Sequence, residues 1–525
     1  MKMKKKFLLS FLLLWFIGLC TAQIEQIDVR NYKIDLSVND LSDTIEVSET
    51  ISFSHLNRNE PIVFNLKSIN TDGNGMSVSS VSHKEEELKF SHQNDSLYVF
   101  VNTPSENHYY ELNISFKGVP IDGLVIGENK FGKRTFFGDN WPNRAQNWFV
   151  CNDHLSDKAS VEFIVHVPAQ YTVVANGKLT SVEKRRKVKT FRYLSVVPIP
   201  TKVMVVGIAE FSEEVSGNVE GIVIQSFTYP ENEKEAGKDL SLAPSILDFY
   251  ISYIAPYEFE KLDNVQSTTR FGGMENAGCI FYDEDALDGT QSAENLIAHE
   301  IVHQWFGNSA TEKDWPHLWL SEGFATYLTN IYIEETKGEL AFKAQLEQDR
   351  KRVVNFDKRY NHPVVDVDYM SLMDLLNPNS YQKGGWILHM LRAEIGDELF
   401  QKCIQTYYQK YSRSNADSKD FQDIVEAVCD KDFSTFFNQW LHQAGHPRLQ
   451  INSKFENRKL SLEINQKEGV FSFPLTVEIK CTEGPTIQRK IWVTKETTQK
   501  DIITSYPITE IVIDPEVELL YELVK

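Results

Sequence analysis

Apolar and polar side chains alternate along the chain from Ile24 to about residue 210. The runs YKIDLSVND, TIEVSETISFSH, YELNISFKG and SVEFIVHV carry the two-residue period of strands with one buried face. Turn-forming clusters such as TDGNG and ANGK separate them. Helical spacing is scarce there, so the pattern predicts an antiparallel β-sandwich over residues 23–210. Near residue 230 the period changes. EKEAGKDLSLAPSILDFYISYI has apolar residues at helical spacing, as do residues 292–307, 317–336, 380–395, 397–411, 418–429 and 432–443. A short strand-rich patch near 264–282 interrupts a mostly helical domain that spans residues 211–445. After AGHPRL the alternation returns in LQINSKFENRKLSLEINQ, FPLTVEIK, RKIWVT and EIVIDP. That predicts a small β-sandwich over residues 446–525, and the fold class is multidomain α+β. No internal repeat or low-complexity tract is visible.

The first residues follow a different rule. MKMKKKFLLSFLLLWFIGLCTAQ opens with four lysines, continues as an apolar run from Phe7 to Leu19, and ends in small residues. This is the pattern of a secretory signal peptide over residues 1–22, cut after Ala22. The run is shorter than the roughly 20 residues of a membrane span. A secreted or periplasmic protein with no stable span after cleavage is therefore expected. A lipid anchor on Cys20 is the weaker reading, because Leu19 is bulky where a small residue is usual.

Charge narrows the partners. The formal charge of −20 becomes −24 once the four leader lysines are gone, which argues against nucleic acid as a ligand. Five cysteines remain in the mature chain: Cys151, Cys279, Cys403, Cys429 and Cys481. Their odd number and scattered spacing show neither a disulfide framework nor a CxxC metal site, and spacing alone does not pair Cys403 with Cys429.

The chemistry concentrates in AHEIVHQWFGN and LWLSEGFATY. His299 and His303 are four residues apart, so on a helix they share one face. Glu300 sits beside the first, placed to meet a water on the metal without ligating it. The metzincin pattern fails, since Phe306 and Ser309 occupy its glycine and third-histidine positions. Glu322 follows His303 after eighteen intervening residues, on a second apolar-periodic segment, and supplies the third ligand of an open catalytic zinc site. His317 and Asp314 lie between the motifs and read as loop or supporting residues rather than ligands.

FGGMENAG, HEIVHQWFGN-x18-E and SYQKGGWILHML stand in one order along the chain. In this they resemble the aminopeptidase N family, the gluzincin zinc exopeptidases with a GxMEN motif. The flanking β domains fit that family's layout, and the helical block would be its thermolysin-like catalytic domain. The resemblance implies one Zn²⁺ per chain, held by His299, His303 and Glu322. It implies Glu300 as the base that deprotonates water and later protonates the leaving amine, and Tyr381 as donor to the oxyanion. Glu275 would bind the free α-ammonium of a peptide substrate, and Gly272, Gly273, Met274 and Asn276 around it would complete the substrate-binding segment. Taken alone, Glu275 reads as a turn or edge-strand acid and Tyr381 as a core tyrosine; the ordered motifs change both readings. Lys383 is given no catalytic role.

Two departures from the family pattern stand out. CNDHLSDK resembles the family's C-x-D-x-P-x-x-K stretch but has Leu155 for proline. Upstream of it, FGDNWPNRAQNW offers Asp139 or Asn140 as a second amine anchor, with Trp141 and Gln146 nearby. Where many members continue into a large helical domain, this chain has a β segment, so a cleft that is either more open or capped by a partner chain is expected. Two rivals remain: a non-catalytic peptide-binding protein on a peptidase fold, and the epoxide-hydrolase-like branch of the family. No local motif encodes the preferred amino-terminal residue or the oligomeric state.

Overall fold

The computed structural model describes residues 27–55, 61–101 and 108–524. The leader, residues 1–22, lies outside the described residues. Among them, no helix is long and apolar enough to cross a membrane. The chain divides into two compact units, Met1–Lys313 with Tyr411–Asn415, and Asp314–Lys410 with Ala416–Lys525.

The first unit begins with an eight-stranded sheet. Its order is Lys178–Arg185, Val188–Pro200, Lys158–Pro168, Ile27–Ser37, Ile45–His55, Tyr109–Val119, Gly75–His83 and Glu86–Glu87. All neighbours run antiparallel except Ile27–Ser37 with Lys158–Pro168, which pair in parallel from Asn31 opposite Ser160 to Ser37 opposite His166. The expected alternation produces the core directly: Ile34, Leu36, Ile51, Phe53, Leu112, Ile114, Val161, Phe163 and Val165 are buried. A four-stranded sheet and a three-stranded sheet complete this part.

A second, five-stranded sheet follows in the same unit, ordered Ser212–Val219, Ile222–Thr228, Leu262–Ser267, Cys279–Asp283 and Gly273–Met274. It is larger than the short patch expected from the pattern, because the hairpin of Ser212–Val219 and Ile222–Thr228 joins it. Every residue of Leu262–Ser267 is buried, and four of its six side chains are polar (Asp263, Asn264, Gln266, Ser267), which hides the strand from a hydropathy reading. Helices α1 (Glu233–Leu240), α2 (Ala243–Tyr253) and α3 (Glu294–Val302) belong here, and α2 packs against α3. The edge strand Gly273–Met274 is only two residues long.

The second unit carries α4 (Trp319–Lys337), α5 (Glu339–Asp357), α6 (Gly384–Ile395), α7 (Asp397–Tyr411), α8 (Ser418–Cys429) and α9 (Ser434–His442). Helix α4 is buried on nearly every side, including Trp319, Leu320, Phe324, Tyr327, Leu328 and Ile331. A π-helical turn, Asn379–Lys383, leads into α6. Two sheets end the chain, antiparallel throughout except where Arg448–Glu456 pairs in parallel with Glu522–Leu523. One is built on Lys459–Lys467 and the other on Phe473–Cys481, and Leu460, Leu462, Ile464, Leu475, Val477 and Ile479 are buried on their facing sides. The N-terminal β-rich part, the helical block and the C-terminal sheets give the expected multidomain α+β class.

Candidate active site

Helix α3 buries Ile297, Ala298, Ile301 and Val302, which leaves His299 and His303 on a different face. Their Nε2 atoms are 3.1 Å apart. Two imidazoles bound to one tetrahedral zinc at roughly 2.0–2.1 Å would hold their nitrogens about 3.3 Å apart. The pair is therefore already near ligating separation. The ring of His303 is oriented from behind: its Nδ1–H donates to the Phe306 carbonyl at 2.9 Å. That fixes the tautomer whose Nε2 lone pair faces outward, the usual arrangement behind a metal-bound histidine. His299, His303 and Glu322 form a group whose ligand atoms lie within 4.8 Å of one another. Two imidazole nitrogens and one carboxylate oxygen are the donor set of an open catalytic zinc site, so the residues fit the expected ion.

Glu300 is buried beside the edge strand of the five-stranded sheet. A Cβ built on Gly273 would overlap the Glu300 carboxylate, so glycine lets the strand pass there without displacing that side chain. Of the five residues expected to bind substrate, Gly272 is exposed, Gly273 is half-buried, and Met274, Glu275 and Asn276 are buried. The side-chain amide of Asn276 has no hydrogen-bond partner among the described residues.

Sequence reasoning missed the side chains that hold this strand. Gln304 Nε2 donates to the Glu275 carbonyl at 3.0 Å, and Asn308 Nδ2 donates to the same oxygen at 2.5 Å. Gln304 Oε1 accepts from the Gly278 N–H at 2.8 Å, and Asn176 Nδ2 donates to the Ala277 carbonyl at 2.8 Å. Both Gln304 and Asn308 lie inside HEIVHQWFGN, so the motif contained them, but their roles depend on contacts distant along the chain.

In the second unit, Glu322 sits in the first turn of α4 and is buried. Tyr381 lies in the π-helical turn, half-buried. Three glycines bring these segments together: a Cβ on Gly323 would come 2.9 Å from Gly384 Cα, and Gly385 faces Thr326. Ser380 Oγ donates to the Leu375 carbonyl at 2.7 Å and Asn379 Nδ2 to the His362 carbonyl at 2.8 Å, pinning the turn. Lys383 is fully buried and donates to the Gly445 carbonyl at 2.8 Å; burial pushes its ammonium down to about 8. That places Lys383 in the scaffold of the turn. His317 bonds Ser418 Oγ at 2.8 Å through Nδ1, and Asp314 caps the short helix at Trp315–His317. Neither belongs to the ligand group.

The two residues offered as a second amine anchor are committed elsewhere. Asp139 is fully buried, with Arg144 at 2.5 Å and Arg270 at 3.0 Å; burial raises its carboxyl while the two guanidiniums pull it back. Asn140 donates to the Thr201 and Met204 carbonyls and accepts from Trp148 Nε1. Their polar atoms all have partners inside the fold. CNDHLSDK is structural as well. Asp153 accepts from Thr201, Asp157 from Val29 and Asn152, and Lys158 Nζ donates to the Ser309 carbonyl at 2.6 Å. All five described cysteines are free thiols.

Comparison with known proteins gives a consistent picture. The Peptidase M1 N-terminal domain matches residues 29–203 and the Peptidase family M1 domain matches residues 239–440. Probable aminopeptidase 1 of Sulfurisphaera tokodaii is 25% identical over 479 residues, covering 86% of this chain and 58% of that protein. Leucyl aminopeptidase of Saccharolobus solfataricus is 26% identical over 431 residues, covering 78% and 54%. Aminopeptidase M1-C of Oryza sativa subsp. japonica is 28% identical over 356 residues, covering 63% and 40%. The chain thus spans about half the length of these curated relatives.

Proposed function

This chain belongs to peptidase family M1, and on that premise we propose that it is a zinc aminopeptidase, removing residues one at a time from peptides with a free amino terminus. The observation that carries the proposal is the convergence of His299, His303 and Glu322, with Glu300 on the same helix as the two histidines. When bound, zinc polarises the scissile carbonyl and lowers the pKa of water to about 7. Glu300 takes the proton of the attacking water and returns it to the leaving amine. Tyr381 donates its phenolic O–H to the developing oxyanion, without adding net charge beside the cation. Glu275 pairs with the α-ammonium of the substrate. A mid-chain amide offers that buried carboxylate no counter-charge, which restricts cleavage to the amino terminus. The lysine-rich, apolar leader supports export to the periplasm or medium.

A panel of aminoacyl p-nitroanilides, with and without chelator, tests the proposal. Hydrolysis of free-amine substrates that stops on chelation and returns with zinc is expected. Cleavage of acetylated analogues at the same rate would remove the amine anchor.

A further inference from the structure

We infer that Gln304 and Asn308 are positioning residues that set the distance between the metal ligands and the amine-binding carboxylate. The inference rests on the reading of Glu275 as the amine anchor. The strand that leads to Glu275 is held weakly by its sheet. It pairs with Cys279–Asp283 at only two positions, Gly273 with Tyr282 and Met274 with Phe281, and Glu275 lies beyond the ladder. A peptide outside a ladder needs other partners to keep its plane.

Both lone pairs of the Glu275 carbonyl are taken by side-chain amides, one from Gln304 and one from Asn308. Gln304 also takes the Gly278 N–H, so one amide spans the turn from Glu275 to Gly278. Gly278 has φ +65, a conformation that glycine adopts without strain. Gln304 and Asn308 are 1% and 0% exposed, so neither amide has solvent as an alternative partner. Gln304 directly follows the ligand His303, and Asn308 Nδ2 reaches the same carbonyl from four residues further on. The histidine segment and the Glu275 peptide are therefore one rigid piece. The side chain of Glu275 starts from a fixed peptide plane, and its carboxylate keeps a fixed span to the metal corner. That span decides how far the α-ammonium can lie from the carbonyl under attack, so these amides act as a ruler for cleavage after one residue.

Two inhibitors with the same metal-binding group separate positioning from general structure: an amino-acid hydroxamate, and its des-amino analogue. In wild type the amine-bearing compound should bind more tightly. Gln304→Met and Asn308→Leu should weaken that compound about tenfold or more and leave the des-amino compound within about twofold, with KM for aminoacyl anilides rising more than kcat falls. Zinc content should stay at one per chain. If either variant does not fold, Gln304→Glu and Asn308→Asp keep the shape, turn the donor into an acceptor, and are read in the same way. Variants that discriminate between the two hydroxamates as well as wild type does overturn this inference alone, as does equal weakening of both compounds. A wild type that binds both equally overturns the amine-anchor reading and this inference with it.

Discussion

His303 shows how little of a reactive residue is the residue itself: its useful Nε2 lone pair depends on a carbonyl three residues on. Glu300→Gln keeps the shape and removes the carboxylate proposed as the base. The variant should retain zinc and lose about 10²–10⁴ in kcat; wild-type turnover measured on the same anilide would remove Glu300 from the chemistry. Tyr381→Phe should lower kcat by about 10²–10³ with a much smaller change in KM, as steady-state kinetics would read directly. The grouping of His299, His303 and Glu322 was legible in the sequence because the motif that carries it is dense. Gln304 and Asn308 were not, since the carbonyl they share lies 29 and 33 residues earlier. The pairing of Asp139 was not legible for the same reason: one of its partners, Arg270, is 131 residues away.

A buried histidine gives a residue-level test of stability. His389 bonds Tyr327 Oη through Nδ1 and the Val517 carbonyl through Nε2, and burial pushes its pKa down to about 4. An unfolded chain takes up that proton near pH 6.5, whereas the folded chain resists it until about 4. The unfolded state thus binds more protons in this window, and stability falls as pH drops from about 6.5 to about 4. Denaturant titrations should show His389→Gln with a shallower slope than wild type there, by up to about 1.4 kcal/mol per pH unit. Equal slopes would mean that His389 is protonated in the fold.

At the scale of elements, most helices followed their periodicity, and α5 was the exception. Its buried face carries Phe342, Leu346 and Val353 but also Asp349 and Arg350, so the apolar repeat is broken where polar partners are supplied from elsewhere. Asp349 accepts from Asn330 and Gln345. Arg350 lies against the rings of Trp386 and Tyr521, at 4.9 and 4.7 Å, and bonds Asp514 at 2.8 Å and the Leu519 carbonyl at 2.7 Å. It ties α5 to the C-terminal sheets. Arg350→Met should cost about 3–5 kcal/mol in chemical denaturation, because Asp514 is left buried without its counter-charge. The meeting of α4 with the π-helical turn is a second element-scale dependence. Gly323→Ala inserts a methyl group against Gly384, and the helix holding Glu322 or the turn holding Tyr381 must shift. Loss of activity is expected to exceed loss of stability in that variant.

Over the whole molecule, the alternation of strand-like and helix-like pattern was enough to order the β-rich, helical and β-rich parts. The pattern could not show that the helical block also carries a five-stranded sheet, because its central strand buries polar side chains as completely as apolar ones. Nor could it show that a two-residue strand at that sheet's edge presents Glu275. The account stands on a bound metal ion, and one measurement reaches it directly. Metal analysis of the purified mature chain, run beside hydrolysis of an alanine or leucine p-nitroanilide, should find one zinc per chain, activity lost on chelation, and activity restored by stoichiometric zinc. A chain that holds no divalent ion and gains no hydrolysis when zinc is added would contradict the account.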